Sequence, residues 1–245
     1  MRNILLINPN TSQATTSMMV RIAASELPKD VQVTGVSAKL GPSMIVNEAE
    51  LNAASLEVDR IWRDAGSAWD GVIVSAFGDP GVELVRRTSR GPVVGICEAS
   101  MIEAAQGSRR FGVATVTPEL ARAIDRHALM LGLGAQYTGI RLTPGDPRAL
   151  AADPEALEKA LAGAVLRCID EDGAQAVIIG GGPLGQAARG LAGRFGVPVI
   201  APISAAVRSL QLQLPQDPVD AGFPVGPSSP VVKNPPTAPP WLRCR

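Results

Sequence analysis

Short aliphatic runs, each closed by Gly, Pro, Asn or Thr, recur along the chain and predict β-strands. They fall at 3–7, 31–36, 71–74, 92–96, 111–115, 176–179 and 197–200. The runs are continuous rather than alternating, which is the pattern of strands buried on both faces of a parallel sheet. Between them, apolar residues recur at helical spacing over 47–65, 118–131 and 154–170, with Thr117 a candidate N-cap ahead of Pro118. Strands alternating with helices predict βαβ units and an α/β fold.

The pattern also repeats. DGVIVSAFGDPG at 70–81 leads through a helical stretch to RGPVVGI at 90–96. AQAVIIGGGPLG at 174–185 leads, over nearly the same spacing, to FGVPVI at 195–200. Each half opens with a strand that ends in a polar turn, INPNTS at 7–12 and ATVTP at 114–118. The chain therefore reads as two similar parallel-sheet α/β lobes, 1–105 and 106–210, with the chain end of the first free to exchange with the second. Ligands bind beyond the carboxyl ends of strands in such sheets. Two facing lobes would bring the turns at 8–12, 75–81, 115–117 and 180–184 to one cleft. From 211 onward the reading changes to an extended, Pro-rich tail. Nine of the 31 residues from Pro215 are proline, which excludes helix and central strand.

Composition removes several function classes. With 46% hydrophobic residues and 19% charged, the bulk of the 245-residue chain is expected to fold. No apolar run reaches the ~18 residues that cross a bilayer, and the N-terminal run is too short for a secretory signal, so a cytoplasmic protein is expected. Lys plus Arg and Asp plus Glu both number 23, so a general nucleic-acid binder is not expected. Cys97, Cys168 and Cys244 are too far apart for a disulfide framework or a metal knuckle. The single histidine, His127, argues against a His-based metal site and against a Ser-His-Asp triad. It reads as a surface or packing residue in the middle of a helix.

The candidate chemistry sits in the turns. Asn8, Asn10 and Thr11 offer amide, hydroxyl and backbone N–H groups suited to a carboxylate or cyclic imide, or they simply cap the next helix. The turn from Ser75 to Gly81 offers a hydroxyl, the Asp79 carboxylate and a glycine-rich backbone around Phe77 and Gly78. Ahead of Pro80, Asp79 reads first as a cap on the helix that follows it. Thr115 ends the first strand of the second half. Gly180, Gly181 and Gly182 allow close backbone approach but bring no side-chain chemistry. Glu98, beyond the fourth strand, is a candidate base or ligand clamp, or the partner of a helix end. Cys97 reads as a small core residue. No Walker or dinucleotide fingerprint is present, so no nucleotide cofactor is expected. Without an Arg in these turns, a small mono-anion or neutral ring is expected over a multiply charged acid.

The strings INPNTS at 7–12, FGDPG at 77–81 and GICEA at 95–99, with the glycine turn at 180, resemble the aspartate/glutamate/hydantoin racemase superfamily, in its hydantoin and allantoin racemase branch. The similarity runs in order over about 1–210. It implies a pseudo-twofold α/β fold with the active site between the halves, a small-molecule substrate, homo-oligomeric assembly and cofactor-independent racemisation. In that chemistry one cysteine thiolate removes the α-proton and a facing thiol returns a proton from the other side. The positions that the resemblance assigns to the two cysteines are Ala76 and Gly181, and neither transfers a proton. The aspartate often found after the last core strand is replaced near Ala201. Three readings follow. In the first, an enzyme acts on a small carboxylate or cyclic ureide, with Ser75, Asp79 or Glu98 as acid or base and the backbone near Gly78 and Gly181 holding an oxyanion. In the second, a binding module keeps the pocket without turnover. In the third, a racemase uses relocated bases, Cys97 and a carboxylate.

Overall fold

The computed structural model describes residues 1–66 and 68–215. The expected tail, 211–245, lies outside the described residues from 216 on, as does Cys244; its first positions, 211–213, are helical and not extended. The described strands are β1 (Arg2–Asn8), β2 (Val31–Ser37), β3 (Gly71–Val74), β4 (Val93–Gly95), β5 (Phe111–Thr115), β6 (Tyr137–Leu142), β7 (Ala176–Ile179) and β8 (Val199–Ile200). The helices are α1 (Gln13–Glu26), α2 (Glu48–Ala65), α3 (Val82–Arg86), α4 (Ile96–Ala104), α5 (Ala121–Met130), α6 (Pro147–Ala152), α7 (Pro154–Asp170), α8 (Gly185–Leu191) and α9 (Pro202–Gln213).

The strands form two four-stranded sheets, ordered β2-β1-β3-β4 and β6-β5-β7-β8. Every pairing is parallel. The two orders are the same when the first sheet's strands are advanced by four, so the repeat in the sequence is a repeat of topology. The inner strands β1, β3, β5 and β7 are buried on both faces because successive residues feed different cores, whereas edge strand β2, expected to be buried too, has no fully buried residue. Ile4 and Leu6 of β1, Ile73 of β3, Phe111 and Val113 of β5, and Ala176 and Ile178 of β7 enter one large core that spans both sheets. Leu5, Ile7, Val72 and Val74 enter a second core under α2. Ala114, Val177 and Ile179 enter a third under α7.

The sequence reading missed β6. All six of its residues are only half-buried, as befits an edge strand, and its apolar positions are interrupted by Thr138, Gly139 and Arg141. The fourth predicted strand is shorter than expected, because Ile96 already belongs to α4. Thr117 does not cap the helix after it; its hydroxyl faces that of Thr115 at 3.3 Å.

Helices α4 and α9 tie the halves together. Each follows the last strand of its own sheet and then crosses over. Helix α4 packs against β7 and β8, and α9 packs against β3, β4 and α1. The two helices also lie against each other. Helix α9 carries Ile203, Ala206, Val207 and Leu210 into the shared core. No helix among the described residues is long and apolar enough to cross a membrane.

Candidate active site

The turns beyond β1, β3, β5 and β7 converge on one cleft. Asn10 lines it from the first turn, Ser75, Ala76 and Phe77 from the second, Val116 and Thr117 from the third, and 180–184 from the fourth. Met44, Ile45 and Leu51 close one side, and Leu120 and Ile124 of the 118–131 segment close another.

The first turn is built from its own side chains. The Asn8 amide donates to the Asn10 side-chain oxygen at 2.9 Å and to the Thr16 hydroxyl at 2.8 Å. The Asn10 backbone N–H donates back to the Asn8 oxygen, and the Ser12 N–H donates to the Asn10 oxygen. Asn8 is fully buried and acts as a clamp that presents Asn10 to the cleft. The Ser12 hydroxyl then caps α1 by accepting from the Thr15 N–H. The Thr11 N–H is bonded to the carbonyl of Pro42, which ties this turn to the segment carrying Met44 and Ile45.

The second and fourth turns meet directly. The Ser75 hydroxyl donates to the Ile7 carbonyl at 2.8 Å. A Cβ on Gly182 would stand 2.7 Å from the Ser75 carbonyl oxygen, so glycine is required for the two turns to approach. Thr115 is buried and donates to the Gly180 carbonyl at 2.6 Å, holding the third turn to the fourth.

Asp79 does not cap the helix after it. The N-cap of α3 is Gly81, with no side-chain bond. The Asp79 oxygens accept from the backbone N–H groups of Cys97 at 2.8 Å and Glu98 at 2.7 Å, so this carboxylate caps α4 from eighteen residues away. The approach is so close that a Cβ on Gly95 would fall 2.2 Å from the Asp79 carboxyl carbon. Glu98 accepts from the Gly95 N–H and pairs with Arg86, whose guanidinium also donates to the Val93 carbonyl. Asp79 and Glu98 therefore build the start of α4, and neither lines the cleft.

His127 reaches the same place from α5, with its Nε2 atom 3.3 Å from an Asp79 oxygen. Burial opposes protonation of this imidazole, but the hydrogen bond and charge of Asp79, with Glu98 behind, outweigh it and hold its pKa above the ordinary value. Cys97 is fully buried beside them. Burial first, and the Asp79 charge second, push its thiol well above the usual range. Cys168 lies in the core under α7 and is pushed up to about 12 by burial.

Of the expected site residues, Asn10, Ser75, Phe77, Gly180, Gly181 and Gly182 line the cleft, as do Ala76 and Thr117. Asn8, Thr11, Gly78 and Thr115 do not line it. Leu184 belongs to the expected fourth turn, but the apolar wall of Met44, Ile45, Leu51, Leu120 and Ile124 was not foreseen. The segment before α2 carries no motif, and the apolar face of the 118–131 helix looks the same whether it meets a core or a cleft.

The family model for Asp/Glu/Hydantoin racemase matches residues 4–210, which is most of the chain. The chain belongs to this family. It is 31% identical over 207 residues to the hydantoin racemase of Pseudomonas sp. (strain NS671), covering 84% of this chain and 83% of the relative. The allantoin racemase of Klebsiella pneumoniae superposes with a TM-score of 0.80 at 27% identity, covering 86% of this chain and 87% of its own. The allantoin racemase of Pseudomonas fluorescens gives a TM-score of 0.80 at 25% identity, covering 86% and 89%. The paired four-stranded sheets are thus the fold of this racemase family.

Proposed function

We propose that this family member binds a small neutral ring or mono-anion in the cleft, of the hydantoin or allantoin kind, and does not racemise it by two-base proton transfer. One observation carries the reading: among the described residues lining the cleft, none has an ionisable side chain. Asn10, Ser75, Thr117 and the glycine-turn backbone supply hydrogen bonds, and the remaining wall is apolar. An α-proton can be removed only by a group that accepts it at working pH, within hydrogen-bond reach of the carbon.

The two positions that the resemblance assigns to the cysteines, Ala76 and Gly181, are both in this lining. An enzyme that drew its base from Ser75, Asp79 or Glu98 has less support. The Ser75 hydroxyl is committed to Ile7, and both carboxylates are committed to the start of α4. A racemase with Cys97 as a relocated base has less support too, since that thiol is wholly buried. The reading keeps the cytoplasmic location expected from the sequence and the homo-oligomeric assembly that the resemblance implies.

The test is α-proton exchange in D₂O, followed by NMR, alongside thermal shift with allantoin, hydantoin and an alkyl-substituted hydantoin. The wild-type chain is expected to gain melting temperature with at least one ligand and to exchange no α-proton. The Ala76→Cys/Gly181→Cys double variant is expected to gain exchange. The new Cβ at 181 would stand 3.0 Å from Leu184 Cγ at a φ of +159°, so the Leu184 side chain has to give way and the backbone carries some strain. Exchange by the wild-type chain, or no shift with any of these ligands, would overturn the reading.

A further inference from the structure

Behind the cleft wall, three potential metal donors meet from three elements. Asp79 comes from the turn after β3, Cys97 from the first turn of α4 and His127 from the last turn of α5. One ligand atom of each lies within 4.8 Å of the others. We propose that Asp79, Cys97 and His127 bind a borderline divalent cation of the Zn²⁺ class, which staples the turn at 75–81 to α4 and α5.

The donor set selects the ion. A thiolate, an imidazole and one carboxylate suit Zn²⁺ or Co²⁺, whereas Ca²⁺ and Mg²⁺ demand cages of oxygen. Bonds of about 2.0–2.2 Å at the tetrahedral angle place a nitrogen and an oxygen ligand about 3.3–3.5 Å apart. The His127 nitrogen and the Asp79 oxygen are already 3.3 Å apart. The Cys97 sulfur lies within 4.8 Å of both.

The charge also fits the burial. Cys97 is fully buried, and the side-chain exposures of Asp79 and His127 are 3% and 14%. One thiolate and one carboxylate neutralise a divalent ion, so no net charge is left in the interior. Binding releases the thiol proton, and the imidazole proton where present, to solvent; the pair on each freed atom goes to the metal. The outer partners are in place as well. Backbone N–H groups of Cys97 and Glu98 hold the Asp79 carboxylate. The Gly78 N–H is directed at the Cys97 sulfur. Such donors orient ligands and stabilise a bound thiolate. The single histidine that argued against a metal site in the sequence is thus the residue that completes one.

The experiment uses the full chain, stripped with a chelator and titrated with Zn²⁺ against a chromophoric competitor, and with Co²⁺ followed by absorption. One equivalent is expected to bind, Co²⁺ is expected to show a thiolate charge-transfer band, and Zn²⁺ is expected to raise the melting temperature. His127→Gln and Cys97→Ser are each expected to weaken Zn²⁺ binding by at least about 10-fold, and Cys97→Ser to abolish the band. His127 is partly exposed, so its variant decides the matter if the cysteine variant does not fold. Wild-type binding no tighter than that of His127→Gln, or a Co²⁺ complex without the band, would overturn the proposal and leave a simple Asp79–His127 ion pair. Neither result bears on ligand binding in the cleft, so this inference and the proposed function fail separately.

Discussion

At the scale of single residues, the contact between Gly95 and Asp79 joins the turn after β3 to the start of α4. Asp79 gives the first peptide groups of α4 an acceptor, and Gly95 leaves the room for it. Charge-assisted bonds of this kind contribute about 1.5–3 kcal/mol each. Asp79 also has φ 51°, a left-handed conformation that Asn tolerates better than other side chains. Asp79→Ala is therefore expected to cost about 2–4 kcal/mol in urea unfolding. Asp79→Asn, which keeps one acceptor oxygen and the backbone preference, should cost less than half of that. Gly95→Ala should resemble Asp79→Ala, because its methyl group occupies the carboxylate's place. A neutral Gly95→Ala variant would show that Asp79 has another way to reach α4.

At the scale of elements, a second ion pair makes a pH prediction. Arg141 of β6 holds Asp172, beyond α7, through two bonds of 2.8 and 2.6 Å. These bonds lower the Asp172 pKa, against a smaller opposing effect of burial. A depressed carboxylate contributes stability that is complete above its unfolded value of about 3.9 and is lost as pH falls through its folded value. Unfolding measured from pH 6 to pH 3 should thus be less steep in acid for Asp172→Asn than for the wild type. The pair is partly exposed, so the difference should be about 1 kcal/mol or less; equal slopes would show that the pair adds nothing. Elements also mark what the sequence made legible. Strands β1, β3, β5 and β7 are buried on both faces, so each is an unbroken aliphatic run that needs no other signal. Edge strand β6 is half-buried throughout and has no such run. Helix α4 buries Ile96, Cys97, Ala99, Ser100, Met101 and Ala104 around much of its circumference. It therefore lacks an amphipathic period, and its first residue read as the end of β4. The glycine and asparagine turns marked the cleft because strand ends do so in any α/β sheet. The pairing of His127 with Asp79 could not be read, because it depends on how α5 of one half packs against a turn of the other.

At the scale of the whole molecule, the crossing of α4 and α9 makes each half incomplete without the other. The compact unit is Met1–Leu214, so the last helix is part of it. Helix α9 closes the inner face of the first sheet with Ile203, Val207 and Leu210, each at most 1% exposed. Burying such side chains contributes about 1.5–3 kcal/mol apiece, or about 5–9 kcal/mol for the three. A domain of this kind has about 5–15 kcal/mol of net stability, so α9 carries a large share of it. A chain ending after Pro215 is expected to keep the melting temperature and the ligand-induced shift of the full chain. A chain ending at Ala201 is expected to lose cooperative unfolding altogether, including in the first sheet, more than one hundred residues away in sequence. Far-UV circular dichroism on heating distinguishes the outcomes. A cooperative transition retained by the shorter chain would mean that the first sheet closes on itself, and that the crossed helices are not what unites the two halves.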